Sequence, residues 1–236
     1  MPTFIAHANI QQDFPFDDIP SHLIPDNLIA NKIGEGRIQQ RHQCRRLAHF
    51  LLWQLLKISG KSTALLAEIS RTESGRPQFI DDNIDFNISH SGDWVAVILG
   101  VNETGKSAVG IDIEFAKQRD YSALLNHFAP PAEVTWFNQQ SNAELAFYRC
   151  WCLREAVLKS QGVGIAKLSE VLHSAESLHI QSTHCPRGKL IFSAELPFYF
   201  AVFTDEQLSK NLLFYQWNGN QLERQELKEK TSYQVN

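Results

Sequence analysis

Apolar positions recur at two periods along this chain, and the two periods divide it into helices and strands. The run GRIQQRHQCRRLAHFLLWQLLKI, from about Gly36 to Ile58, predicts a helix, with Leu47, Phe50, Leu51, Leu52, Trp53, Leu55 and Leu56 offered to a core. A second helix is predicted from Ala143 to Ser160. That stretch is rich in Ala, Leu, Glu and Arg and is stopped by Gly162 and Gly164. Alternation marks the strands. Phe86 and Ile88 alternate with Asn87 and Ser89, and Trp94 to Leu99 gives a second, mostly buried strand. In Ser107 to Phe115, Val109, Ile111, Ile113 and Phe115 share one face, while Gly110, Asp112 and Glu114 share the other. Thr3 to Ala8 reads as a first strand, and SLHIQSTH, GKLIFSAEL, FYFAVFT and LLFYQW read as late ones. Between these lie a loop with short turns (Gln11 to Pro25), a linker with a short helix (Gly60 to Thr72) and helices over about Tyr121 to Phe137. The polar tail from Asn218 to Asn236 reads as frayed chain or a late helix. The turn Val101 to Lys106 is the best boundary and gives two halves, 1–105 and 106–236, each of helix plus strands, an α+β pattern.

At 236 residues the chain can bury a real core, and 43% hydrophobic with 20% charged residues is ordinary for a globular protein. A net charge of −4 argues against nucleic-acid binding by bulk charge. Of the four cysteines, Cys150 and Cys152 sit two apart on one helix and point apart, which suits neither a disulfide nor a zinc pair. Buried thiols in a reducing cytoplasm are expected. The N-terminal MPTFIAHANIQQDF lacks a basic region followed by an apolar run, so no signal peptide is expected. No apolar run reaches membrane-spanning length.

Several clusters carry candidate chemistry. Phe147, Trp151, Glu155 and Lys159 lie four apart on one helical face, so an apolar anchor, a carboxylate and an ammonium follow one another. A packed helix with a surface Glu–Lys pair has the same pattern. Asp112 and Glu114, two apart on one strand face, repel each other and suit a hard cation such as Mg²⁺. A half-exposed strand with a solvated face fits them too. Arg37, Arg41 and Arg45 form a basic row that either a phosphate or acidic neighbours would answer. Gly75-Arg76-Pro77 is turn chemistry that fixes one arginine. Ser89, His90, Ser91 and Gly92 make a polar corner able to offer donors to a phosphate. No acid is placed to complete a Ser-His triad.

Taken in order, these pieces resemble the 4′-phosphopantetheinyl transferase family in its larger, surfactin-synthetase-activating type. Gly75-Arg76-Pro77 resembles its G-K/R-P, and Phe86-Asn87-Ile88-Ser89-His90-Ser91 its F-N-x-S-H-S. Gly110-Ile111-Asp112-Ile113-Glu114 matches G-x-D-x-E. Trp151 to Ala156 with Lys159 matches W-x-x-K-E-A-x-x-K, with Arg154 in place of the first lysine, and Gly162 and Gly164 resemble the glycine pair that follows. The resemblance spans about Gly75 to Gly164.

It implies two similar α+β halves related by a pseudo-twofold, with the active site between them, in a chain that works as a monomer. It implies transfer of the phosphopantetheine arm of coenzyme A onto a serine of an apo acyl or peptidyl carrier protein, releasing adenosine 3′,5′-bisphosphate. Asp112, Glu114 and Glu155 would hold Mg²⁺, with Mn²⁺ also suited, and Asp112 would border the substrate pyrophosphate. Glu155 would take the serine proton, directly or through a metal-bound water, a role the sequence does not separate from that of ligand, and Lys159 would contact the α-phosphate. Arg76, Ser89 and His90 would hold the nucleotide and its 3′-phosphate, with Arg41 and Arg45 as further candidates. Trp151 is read as packing. The segment Tyr121 to Phe137 offers apolar groups for carrier docking, although core is the preferred reading residue by residue. Two other readings remain. A non-catalytic coenzyme A or carrier-binding module would need no carboxylate cluster, and a Mg²⁺-dependent phosphohydrolase would need no protein acceptor.

Overall fold

The computed structural model describes residues 2–29, 36–103 and 105–236, so Thr104 of the expected boundary turn lies outside the described residues. In chain order the elements are β1 (Pro2–Asn9), a one-turn α1 (Asp26–Ile29), the long α2 (Arg37–Ile58) and the two-residue strands β2 (Ser70–Arg71) and β3 (Pro77–Gln78). The hairpin β4 (Ile84–Ser91) and β5 (Trp94–Val101) follows, then β6 (Val109–Glu114). Next come α3 (Tyr121–Leu125), α4 (Pro131–Asn138) and α5 (Ala143–Ser160). The chain ends in β7 (Leu172–Ser174), β8 (His179–Gln181), β9 (Gly188–Ser193), β10 (Tyr199–Asp205), β11 (Asn211–Trp217), β12 (Leu222–Gln225) and β13 (Thr231–Val235).

The strands form two main sheets, ordered β12-β11-β1-β5-β4 and β6-β10-β9-β13-β8-β7. Alternation then builds four layers. In β1 and β5, Phe4, Ala6, Val95, Val97 and Leu99 face Leu47, Phe50, Leu51 and Leu55 of α2. Their intervening residues, Ile5, Ala96 and Ile98, face Val109, Ile111 and Ile113 of β6 and Phe200 and Val202 of β10. On the far side of the second sheet, Ala201, Phe203 and Leu190 pack on Phe147, Leu153, Ala156 and Val157 of α5. The α+β expectation therefore holds, with one long helix on the outer face of each sheet.

The two sheets are joined by side chains rather than by a backbone ladder. The outer edge of β6 would otherwise leave alternate N–H groups unpaired inside the protein, which costs about 1–3 kcal/mol each. Four side chains of β4 accept them in register. Asp85 takes Val109 N–H at 2.9 Å, Asn87 takes Ile111 N–H at 3.1 Å, Ser89 takes Ile113 N–H at 3.2 Å and Ser91 takes Phe115 N–H at 3.0 Å. Every pair is separated by 24 residues.

Two expectations change. The tail is neither frayed nor helical: β12 edges the first sheet and β13 lies inside the second, between β9 and β8. The halves 1–105 and 106–236 are also not independent units, because β11 returns to pair in parallel with β1, Phe4 opposite Leu213. Polar residues dominate the tail's sequence, but its alternate side chains Tyr233 and Val235 are buried. A strand this short carries too little periodicity to be read without its neighbours.

Gly110 lets α5 close on β6: a Cβ there would stand 1.9 Å from the Ala156 carbonyl oxygen. Gly110→Ala should therefore cost about 3 kcal/mol. Urea unfolding should show a lower midpoint with an unchanged slope, and an unaltered midpoint would contradict the close approach.

Candidate active site

Helix α5 begins at Asn142, whose side chain accepts the Leu145 N–H, and runs past β6 with its Trp151–Glu155–Lys159 stripe against the polar face of that strand. The registry is antiparallel. Lys159 Nζ meets Asp112 Oδ1 at 2.5 Å, while two turns earlier Trp151 Nε1–H donates to Glu114 Oε1 at 3.2 Å. Glu155 lies between them on the helix, 4.0 Å from Lys159 Nζ. The strand pair and the helix stripe expected from sequence thus meet.

The carboxylates are buried and crowded. Burial, then the neighbouring Asp112, raises Glu155 to a pKa of about 7. The same two causes raise Glu114. Burial disfavours the Lys159 ammonium, but Asp112 and Glu155 outweigh it and raise its pKa. Asp112 Oδ2 is buried without an N–H or O–H donor, although its other oxygen is paired. Cys152 borders this carboxylate, and burial and the carboxylates keep its thiol, a weak donor at best, protonated. An unpartnered hard oxygen beside two more carboxylates is a donor set that fits Mg²⁺ or Mn²⁺.

Strand β4 supplies the other side of the site. Ser89 Oγ donates to Asp112 Oδ1 at 3.2 Å and accepts from Lys159 Nζ at 3.0 Å. Ser91 Oγ donates to Glu114 Oε2 at 2.9 Å. His90 points the opposite way and is exposed. Partial desolvation where its ring borders its neighbours lowers its pKa, followed by the positive charges of Lys159, Arg41 and Arg45, so these four groups share one electropositive region. His90 and Arg45 border a cavity of about 550 Å³ floored by Leu52, Phe86 and Ile88, with Arg71 also on its wall. Arg41 and Arg45 are exposed, as a binding role needs.

Arg76 lies elsewhere than expected, and Arg154 is turned away from the site. The Arg76 guanidinium does not face that cavity. Its Nη2 donates to both Asp85 oxygens at 2.8 Å, and its Nε donates to the Lys159 carbonyl at 3.0 Å. It clamps the end of α5 to the seam, where Gly162 also packs against it. Arg154 is fully buried, bonded twice to Glu133 and once to the Leu168 carbonyl, so no phosphate reaches it. Trp151 packs against Phe147, as expected, and also donates to Glu114, which the sequence reading missed. In the Tyr121–Phe137 segment, Leu125, Phe128 and Phe137 are buried, so the core reading prevails for them.

Behind α5, Glu133, Cys150 and His173 approach closely enough to share an ion. The arrangement is an ion-pair network. His173 Nδ1–H donates to Glu133 at 2.6 Å and Arg154 occupies the rest of that carboxylate. Burial opposes the Glu133 charge, but His173 and Arg154 outweigh it and hold its pKa near about 2.

Carboxylates and a lysine gathered at one face of β4, with a basic-rimmed cavity on its other face, are the equipment of an enzyme. Sequence relatives say of which kind. The 4′-phosphopantetheinyl transferase superfamily matches residues 108–219. A Haemophilus influenzae protein named "Putative 4′-phosphopantetheinyl transferase" is 58% identical over the whole of both chains. 4′-Phosphopantetheinyl transferase AcpT of Salmonella typhi is 31% identical over 57% of this chain and 69% of its own. 4′-Phosphopantetheinyl transferase gsp of Aneurinibacillus migulanus is 32% identical over 40% of this chain and 38% of its own. The chain belongs to the 4′-phosphopantetheinyl transferase superfamily, whose members transfer phosphopantetheine from coenzyme A to carrier proteins. The non-catalytic reading is accordingly not favoured. Among the described residues no helix is long and apolar enough to cross a membrane.

Two outcomes follow from the buried charges. The Glu155 carboxyl is raised from 4.5 to about 7 in the folded protein, so between these values the folded state binds more protons than the unfolded one. Its contribution to stability is complete below the lower value and lost as pH rises through the upper. In EDTA, Glu155→Gln should therefore gain stability relative to the parent between about pH 5 and about pH 8. Urea unfolding at both pH values checks this, and a constant difference would refute it. Glu133→Gln strands the Arg154 charge and should lose about 3–5 kcal/mol, with Arg154→Met in the same chain restoring part of it. Additive losses in the double variant would argue against the pair.

Proposed function

We propose that this enzyme transfers the 4′-phosphopantetheine arm of coenzyme A to a serine hydroxyl of an apo acyl or peptidyl carrier protein in a Mg²⁺-dependent reaction that releases adenosine 3′,5′-bisphosphate. The observation that carries this reading is the buried Asp112 Oδ2, without an N–H or O–H donor, beside Glu114, Glu155 and the Lys159 ammonium, with a basic-rimmed cavity on the other face of β4. Two sheets, each covered by one long helix, support the larger type in which a single chain supplies both halves and works as a monomer. Unpaired cysteines among the described residues fit a cytoplasmic setting, and the net charge of −4 fits a carrier protein rather than nucleic acid as partner.

In this reading the apolar floor of the cavity receives the adenine ring, and Arg45, His90 and Arg41 receive the 3′-phosphate. Ser89, buried on the opposite face of β4, acts on Asp112 and Lys159 rather than on the nucleotide. Arg76 serves by holding α5 to the seam. Asp112, Glu114 and Glu155 would hold the divalent cation, which when bound supplies charge neutralisation at the pyrophosphate. Lys159 adds positive charge at the α-phosphate, where charge develops as the bond to the leaving bisphosphate breaks. Glu155, on the helix face between Trp151 and Lys159, accepts the proton of the carrier serine as its oxygen attacks phosphorus.

The direct test is intact-mass spectrometry of an apo acyl carrier protein incubated with this enzyme, coenzyme A and Mg²⁺, with and without EDTA. A metal-dependent gain of one phosphopantetheine is expected, and no gain across several carriers would refute the reading. Glu155→Gln should lower the rate by about 10²–10⁴-fold while keeping the fold. Arg45→Ala should raise KM for coenzyme A about tenfold, as loss of one charge-assisted phosphate contact does. KM for dephospho-coenzyme A should be nearly unchanged, and an equal rise for both would move the 3′-phosphate elsewhere.

A further inference from the structure

The three carboxylates of the site are held in different ways. Asp112 is paired with Lys159 and touched by Ser89 through a single oxygen. Glu155 accepts no hydrogen bond among the described residues, its nearest charged partner being Lys159 Nζ at 4.0 Å. Glu114 alone of the three is bonded through both oxygens, and by neutral donors. Ser91 Oγ–H reaches Oε2 at 2.9 Å and Trp151 Nε1–H reaches Oε1 at 3.2 Å.

Each donor is itself fixed. Ser91 Oγ accepts the Phe115 N–H at 3.0 Å, which turns its one proton away from β6's backbone and toward the carboxylate. The Trp151 ring lies stacked 5.9 Å from Phe147 and edge-on 5.7 Å from Phe128, so its N–H has one direction. The two donors come from different elements, β4 and α5, and neither from the strand that carries Glu114. Glutamate has one more rotatable bond than aspartate and pays more entropy to be held in one pose. After these two bonds each Glu114 oxygen keeps a lone-pair site for a cation.

We propose that Ser91 and Trp151 are positioning residues that clamp Glu114 from two sides and present it as the fixed carboxylate for the divalent cation, leaving Glu155 as the movable one. This rests on the metal-dependent reading above. Removing an outer partner of a metal-binding carboxylate costs about 10–100-fold in affinity. Trp151→Phe keeps the ring stack and deletes only the N–H. Ser91→Ala deletes the hydroxyl, and Ser91→Thr restores it.

The test uses the full chain with coenzyme A and no carrier, titrated with Mn²⁺ and followed by electron paramagnetic resonance. Trp151→Phe and Ser91→Ala should each weaken Mn²⁺ binding about tenfold, with Ser91→Thr close to the parent. In the unmutated protein the Trp151 indole N–H resonance should move on adding Mg²⁺, a readout that needs no variant to fold and that packing alone would not produce. Unchanged Mn²⁺ binding in Trp151→Phe and Ser91→Ala, with binding lost in Glu114→Gln, would overturn the clamp and leave the metal site standing. Parent-like Mn²⁺ binding in both Asp112→Asn and Glu114→Gln would overturn the metal site and the clamp together.

Discussion

The structure depends on four hydrogen bonds in which side chains of β4 stand in for a missing neighbouring strand. A sheet edge turned inward must satisfy its N–H groups, and β6 does so with Asp85, Asn87, Ser89 and Ser91 rather than with another backbone. A polar side chain spans a wider gap than a backbone ladder. The seam therefore leaves room beside β6 for groups other than main chain, and that room is where Asp112, Glu114 and Lys159 sit. Closure of the two sheets and construction of the site are one event. Ser89 and Ser91 each use one lone pair for the seam and their proton for a carboxylate.

Arg76 and Gly110 serve the same closure from either side. The guanidinium ties β4, β6 and the Lys159 carbonyl near the end of α5 into one junction, and the absent Cβ lets α5 sink onto β6. Behind the helix, Arg154, Glu133 and His173 form a second polar junction that pins α5 from its far face. A helix gripped on both faces fixes the points from which its side chains reach the site without a contribution from loops, which is how a site on rigid elements keeps its geometry.

Much of this was legible in the sequence, and the limits have physical causes. The long helices, the alternation of β6 and the Trp151–Glu155–Lys159 stripe follow from periodicity, because each element is amphipathic on its own. The crossing of β11 to the first sheet was not legible, because β11 looks like any buried strand and no local signal says which sheet it will join. Arg76 looked like a phosphate ligand because a turn does fix it, but the sequence does not reveal that Asp85 is waiting nine residues on. Ser89 and Ser91 were seen as a polar corner; their real partners stand 24 residues away, and a constant offset of that kind is visible only once the strands are known to run side by side. Trp151 was read as packing because an indole's ring and its N–H serve two neighbours at once.

The return of the chain end has a consequence for how the protein comes into being. β1, made long before its neighbours, lies between β5 and a strand completed at Trp217, and the second sheet keeps an open slot between β9 and β8 until residues 231–235 arrive. The first sheet waits for β11 and β12, and the second cannot be finished until residues 231–235 have emerged. The growing chain must carry unpaired strand edges throughout synthesis, the condition in which helper chaperones have most to do. A chain broken off before β13 leaves a gap in the sheet on which α5 is mounted.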